Sequence, residues 1–242
     1  MINNYGDKKD HIEEILHHAM ALVGGFLGGY AVLTKADFLG NAQTSNILYM
    51  VMALLGNNFT EVLIRIIGIL LYVLGAFTFV FLKNKTRLKL KRISILVDLV
   101  AIIILGFIPS DFNPIIGLYP IFFAMSLQWN CFPGSYGYNS SSIFSTNNLR
   151  QVSLSIAEYL CDGRKKNLHK AYFFAGTLIF FHIGVAVSYF SVKKFDVRGV
   201  WMGGIIILLI LPILYKEEKI NEEILLNNKN EGNYAKNNCK SA

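Results

Sequence analysis

ADFLGNAQTSNILYM, Ala36 to Met50, interrupts an otherwise apolar chain. Asn41, Gln43, Thr44, Ser45 and Asn46 stand where a hydrophobic segment should be running. A second interruption, SSSIFSTNNLRQVSL, Ser140 to Leu154, repeats its Thr-x-Asn: Thr44 and Asn46 align with Thr146 and Asn148. Non-helical backbone at membrane depth is tolerated only where protein buries it or water reaches it. Two matching breaks in one chain therefore ask for a common structural reason.

The composition sets the solvent. Hydrophobic residues make up 53% of the chain and charged residues 16%, and the mean hydropathy is +0.43. A soluble domain carries more charge than this. Apolar runs recur throughout, so the chain reads as a polytopic membrane protein whose immediate partner is the lipid bilayer. The net charge of +7 sits between apolar runs, as in cytoplasmic membrane loops, and does not point to nucleic acid. The first apolar run follows DKKDHIEEILHH without a small-residue cleavage site, so no cleavable signal peptide is expected. Cys131, Cys161 and Cys239 stand singly, which indicates neither a disulfide framework nor a zinc site.

A helix needs about 20 residues to cross the hydrocarbon. Six candidates fit: Ile15–Leu33, Thr60–Leu82, Ile93–Ile108, Ile115–Leu127, Tyr172–Phe190 and Gly199–Leu214. Two helical stretches remain, Thr44–Leu55 and Thr146–Cys161. At about 1.5 Å per residue, each covers only part of a core about 30 Å thick. Residues 1–215 then form one membrane domain. Residues 216–242, rich in Asn, Lys and Glu, are expected to be a disordered cytoplasmic tail or a short surface helix.

Charge orients the spans. KNKTRLKLKR, Lys83 to Arg92, has no acidic residue and should be cytoplasmic. If the short stretches do not cross, this loop, both termini and DGRKKNLHK, Asp162 to Lys170, fall on that side. Only KKFDVR, Lys193 to Arg198, falls outside against the rule. If both short stretches cross, the two basic loops separate. The first topology predicts an all-α protein of six transmembrane helices plus two half-helices. Each half, residues 12–108 and 112–215, then runs span, Thr-x-Asn stretch, span, span. Three crossings per half turn the second upside down, an inverted 3+3 repeat.

In such a repeat the two half-helix starts approach from opposite faces and meet near the midplane. Thr44 and Thr146 read as N-caps, and the helix dipoles make each start mildly positive. This predicts a substrate site of Gln43, Thr44, Asn46, Thr146, Asn148 and Arg150. The competing reading has both stretches lying flat on the membrane. Thr146–Cys161 suits it, with Asn148, Gln151, Ser155 and Glu158 along one side. Thr44–Leu55 does not, being apolar all round after Asn46 and therefore expected to be buried.

GGFLGGYAVLTKADFLGNAQTSNILYM, with SIFSTNNLRQ in the second half, resembles the YoaK-like family of bacterial multi-pass membrane proteins, a domain of unknown function. The resemblance covers nearly all of the chain up to Tyr215. The matching positions are Gln43, Thr44 and Asn46, then Thr146, Asn148 and Leu149. Ser45 and Asn147 replace the family's motif glycines, and Gly28 stands where the family often has Asp. The resemblance implies a bacterial plasma-membrane protein and no activity.

Other residues carry open alternatives. Asp98, inside the third span, is either an ion- or proton-coupling group or close enough to the interface to snorkel. Arg150 either attracts an anion, pairs with Glu158 or faces water. His182 is either a proton relay or a packing histidine. Glu61 and Arg65, four apart, read as an intrahelical pair. Gly24, Gly25, Gly28 and Gly29 allow close helix packing, within the protomer or in a homodimer. HIEEILHH lacks His-Glu-x-x-His spacing, and neither Gly-x-Ser-x-Gly nor a P-loop occurs. No enzyme, metal or cofactor is expected. The leading expectation is a transporter or permease for a small solute, an anion or polar metabolite; the alternative is a non-transporting membrane scaffold or sensor.

Overall fold

A computed structural model describes residues 2–35 and 38–238. Ala36, Asp37 and the last four residues, Cys239 among them, lie outside that range. Among the described residues the chain is helical, with no strand. The helices are α1 (Ile2–Thr34), α2 (Thr44–Leu55), α3 (Phe59–Lys85), α4 (Leu90–Phe107), the single turn α5 (Pro114–Gly117), α6 (Tyr119–Cys131), α7 (Thr146–Asp162), α8 (Lys165–Phe195) and α9 (Trp201–Asn238). A 3₁₀ turn, Asp196–Val200, joins α8 to α9. Among the described residues, three stretches are long and apolar enough to cross a membrane: Gly6–Thr34, Phe59–Lys85 and Lys165–Asn227, the last covering α8, the 3₁₀ turn and much of α9.

Helix α1 is the axis of the bundle. Its apolar window is 72% buried, against 17% for that of α3. It packs on α8 and α9, while α3 packs on α6 and α4 on α6 and α9. Glycines set the closest approaches. A Cβ at Gly25 would lie 1.8 Å from the Phe181 carbonyl oxygen, and one at Gly184 would lie 2.1 Å from that of Leu22. Neither position accepts a side chain without moving backbone. On the α3–α6 side, Gly75 sits 2.6 Å, by the same measure, from the Phe123 oxygen. Contacts advance in step along both pairs: His18 with Gly176 and Leu22 with Gly184, then Gly68 with Phe122 and Gly75 with Ser126. Helices α1 and α8 therefore run parallel, as do α3 and α6. Helices α4 and α9 run antiparallel, since Gly106 meets Trp201 while Arg92 meets Glu218.

Each short helix turns tightly into the long helix that follows. Asn57, in the left-handed region at φ 58°, links α2 to α3. Gly163, at φ 65°, ends α7 just before α8. Asparagine and glycine are the residues that tolerate this conformation. The exposed faces of both short helices are oily. Leu48, Met52 and Leu55 project outward from α2, and Leu149, Leu154 and Leu160 from α7. The polar residues Asn46, Asn148 and Ser155 are buried instead. Helix α2 is thus not covered by protein, as its apolar sequence suggested; its outer face requires lipid.

The structure departs from the expected tail. Helix α9 continues past Tyr215 to Asn238. Lys89 binds Glu218 at 3.0 Å and Glu222 at 2.9 Å, Lys91 binds Glu217 at 2.9 Å, and Arg92 also binds Glu218. The acidic residues of the tail complement the basic loop before α4, a pairing that composition alone does not register. Glu222 and Glu218 hold the Lys89 ammonium above its ordinary pKa. Lys91 also reaches Glu13 of α1 at 3.9 Å, and Tyr136 links Glu14 to His169 of α8. The start of α1, the α3–α4 loop, the start of α8 and the α9 extension therefore share one charged end.

Candidate functional site

The backbone breaks twice, and both broken segments converge on Gly24, in the middle of the first apolar span. From the first segment, the Asn41 amide donates to the Gly24 carbonyl at 2.7 Å. From the second, the Ser142 carbonyl oxygen would lie 2.1 Å from a Cβ at Gly24. The segments also touch each other, because Asn41 Nδ2 donates to the Ile143 carbonyl at 2.7 Å. Asn41 stands three residues before Thr44, and Ile143 three before Thr146. The contact thus joins matching positions of the repeated motif. Gln128 of α6 fastens the same place, donating to Met20 O at 3.1 Å and Ser142 Oγ at 3.0 Å.

Four glycines of α1 serve this convergence and the α8 contact. Gly24 faces Ser142, Gly25 faces Phe181, Gly28 faces the Asn41 side chain, and Gly29 faces Val185 and Ser188. All four are filled within the chain.

The two motif asparagines anchor separate networks. Asn46 is 3% exposed. Its Nδ2 donates to Gln43 Oε1 at 2.8 Å and Arg65 O at 3.2 Å, and its Oδ1 accepts from Arg65 at 3.2 Å. Arg65 is buried, pairs with Glu61 at 2.6 Å and lies against the Phe38 and Tyr49 rings, which also touch each other. The intrahelical pair read from the sequence is present, with a wider role than pairing alone. Asn148 is 1% exposed. It donates to the Ser141 carbonyl at 2.7 Å and accepts from Ser140 Oγ at 3.0 Å. His17, within HIEEILHH, closes this second network. Its Nδ1–H donates to Phe132 O at 3.0 Å, and its Nε2 lies 3.0 Å from the Ser140 hydroxyl. No hydrogen bond joins the Asn46 and Asn148 networks among the described residues.

The threonines are not caps. Gln43 and Ser145 hold the N-cap positions, already in right-handed helical geometry, and neither makes a side-chain cap bond. The helices begin one residue earlier than the Thr-x-Asn pattern suggests, so Thr44 and Thr146 fall in the first turn and face outward. Arg150 is also exposed on α7. His182 faces outward from α8, 2.8 Å from the Leu178 carbonyl. Asp98 is fully buried, which removes the snorkelling alternative.

Three cavities lie at the charged end and a fourth, apolar one of about 310 Å³ lies along α4 beside Pro120 and Phe123; none is lined by the six predicted substrate residues. One of about 560 Å³ is bounded by Glu13, Lys89, Lys91, Cys131 and Glu217. A second, of about 500 Å³, lies between α3 and α6, with Tyr72, Ser126, Trp129 and Asn130 in its wall. A third, of about 280 Å³, is framed by the loop before α7. There, burial and the neighbouring Glu14 push the Tyr136 phenol up to about 12, so it remains a neutral donor near neutral pH.

Sequence reasoning missed Asn41, Gln128 and His17 as members of the site. Asn41 was readable from its register in the repeated motif; the other two lie in spans where nothing local marks them. A family model described as a protein of unknown function (DUF1275) matches residues 16–213, and the chain belongs to that family, the YoaK-like one its motifs resemble. No curated protein and no solved structure matches the chain.

Proposed function

We propose, with membership of DUF1275 as the premise, that this chain is a transporter or permease for a small polar solute, an anion or polar metabolite, in a bacterial plasma membrane. The carrying observation is a set of half-satisfied buried amides. Asn41 Oδ1, Gln43 Nε2 and Gln128 Oε1 are buried and meet no protein partner, although each amide's other atom is hydrogen-bonded. Asn41 and Gln128 therefore present two acceptors at the convergence at Gly24, and Gln43 presents a donor in the neighbouring Asn46 network. A buried polar atom left unpaired costs about 1–3 kcal/mol. A solute with complementary groups would recover that cost. On this reading, Asn46 and Asn148 shape the broken segments, and Arg150 and the outward threonines lie peripheral to the solute.

The packing supports six crossings in two inverted halves. Exchanging α1 with α6, α2 with α7, α3 with α8 and α4 with α9 maps the contact pairs onto one another: α1–α8 onto α3–α6, α1–α9 onto α4–α6, and α2–α3 onto α7–α8. The self-mapped pair, α4–α9, is antiparallel, as a two-fold axis in the membrane plane requires. The charged end carries the Lys83–Arg92 cluster, so it is the cytoplasmic end, with both termini on that side.

One observation favours the second reading, a non-transporting scaffold or sensor. Asn46 and Asn148 already bond to their own chain. Thermal stability of the purified protein against a panel of small anions and polar metabolites separates the readings. A ligand at about 100 times its Kd should add about 2.7 kcal/mol, and Gln128→Leu should remove the gain while remaining folded. A panel in which no compound stabilises the protein would favour the scaffold.

A further inference from the structure

Asp98 lies in the middle of α4, fully buried, and neither carboxyl oxygen meets a protein donor. Leaving a carboxylate unpaired in such surroundings is costly. Its neighbours form a file. Leu90, Ser94 and Asp98 recur every four residues and share one face of α4. Ser94 is also fully buried, with its hydroxyl beside the Cys131 thiol. Cys131 of α6 closes the file, its Sγ 3.5 Å from the Leu90 carbonyl. Leu90 and Cys131 line the 560 Å³ cavity at the charged end. A polar step thus stands between that cavity and a carboxyl sealed in the bundle.

We propose that Asp98 is a single proton-binding site exchanging with the charged-end cavity through Ser94; taking the transporter reading as given, it couples solute movement to the proton gradient. Ser94 Oγ and the Asp98 carboxyl form no hydrogen bond in this structure, so release begins with a rotation of the Ser94 side chain that brings them together. The Asp98 O–H then passes its proton to Ser94 Oγ while the serine's own proton moves to water entering from the cavity, leaving a carboxylate. Uptake is the reverse. The surroundings supply no fixed counter-charge. On α6 the titratable neighbour is the Cys131 thiol. On α9, the stretch Trp201–Tyr215 has no acidic or basic residue. Lys91 and Arg92, nearer the charged end of α4, are engaged by Glu217 and Glu218. Helix α3 brings Tyr72 and, at the charged end, Lys83; the 3₁₀ turn brings Asp196 and Arg198 at the opposite end of α4. A charge left on Asp98 is therefore unsupported until the bundle rearranges or a solute arrives, which is what coupling requires.

The test uses the full chain in lipid and needs no solute. Infrared spectra of wild type and Asp98→Asn at neutral pH should differ by one protonated-carboxyl stretch. On transfer to heavy water that stretch should shift, and Ser94→Ala should slow the shift at least about tenfold, an added barrier of about 1.4 kcal/mol. Asp98→Leu should fold and melt no lower than wild type, since it removes an unpaired buried group; it serves as the reference if Asp98→Asn does not fold. An absent band would overturn the proton site. An unchanged exchange rate in Ser94→Ala would overturn the route. A protonated Asp98 with slowed exchange alongside an inert solute panel would leave the proton site standing and remove transport.

Discussion

Asn41→Asp tests the convergence at its narrowest point. The substitution keeps the side chain's size and replaces its NH₂ donor with oxygen. Asn41 now spends that donor on two carbonyls, Gly24 O and Ile143 O, each at 2.7 Å. Carbonyls only accept, so an ionised aspartate places acceptor against acceptor at both, and a protonated one can donate to only one of them. Two lost hydrogen bonds are worth about 0.6–1.5 kcal/mol each, the lower figure being typical inside membranes. The added penalty is an oxygen, charged or protonated, in a fully buried position that already holds one unpartnered acceptor; burying such a group costs at least about 1–3 kcal/mol. The sum is about 2 kcal/mol or more. For a chain of this length that lowers the melting temperature by about 2–4 °C per kcal/mol, hence by roughly 4–8 °C or more. Asn41→Ala should be milder, because it also removes the unpartnered oxygen. The assay is thermal unfolding in detergent or nanodiscs, followed by near-ultraviolet circular dichroism. If Asn41→Asp melts within about 2 °C of wild type, the contact between the two broken segments does not hold the halves together, and the solute site placed there loses its frame.

Thr44→Ala and Thr146→Ala should each change stability by less than about 0.5 kcal/mol, because neither hydroxyl caps its helix and both face outward; a loss near the 1 kcal/mol typical of a cap in the same melting assay would restore the capping role. Single cysteines at Arg87 and Lys166, in a chain with its native cysteines replaced, should react with a membrane-impermeant reagent from the same side, and one at Asp111 from the other; labelling of Arg87 and Lys166 from opposite faces would remove the inverted topology.

Much of the helix pattern was legible because the solvent imposes it. Where a segment must bury every backbone group in lipid, an apolar run is a helix, and the basic run Lys83–Arg92 marks one end. Helix ends were less legible. Thr44 and Thr146 carry the right chemistry for caps, but which residue occupies the N-cap depends on where the preceding segment turns into the helix, and that is set by tertiary contacts such as those of Asn41 and Ser142. The tail was misread for a related reason. Glu217, Glu218 and Glu222 look like solvated charges until Lys89, Lys91 and Arg92, more than a hundred residues earlier, are placed opposite them. The buried polar groups His17 and Gln128 lie in spans whose hydropathy hides them, and only their partners at Phe132, Ser140 and Ser142 give them meaning.

The polar stripe of α7 shows how the same pattern reverses its meaning with its surroundings. Asn148, Gln151, Ser155 and Glu158 fall along one side at helical spacing, as they would on a helix lying at a water interface with that side outward. Here Asn148 and Ser155 are buried, while Leu149, Leu154, Ile156 and Leu160 are exposed. Asn148 must turn inward because the broken backbone at Ser140 and Ser141 offers groups that lipid cannot satisfy. Burying those groups unpaired would cost several kcal/mol, more than the helix gains by facing its polar side to water. Helix α2 makes the same choice with one asparagine, Asn46. It turns that residue to Gln43 and Arg65 and leaves Leu55 78% exposed. The repeated Thr-x-Asn is therefore best understood through its asparagine: a break in the backbone inside a bilayer needs an amide beside it to take up the freed groups, while the threonine two positions before faces outward.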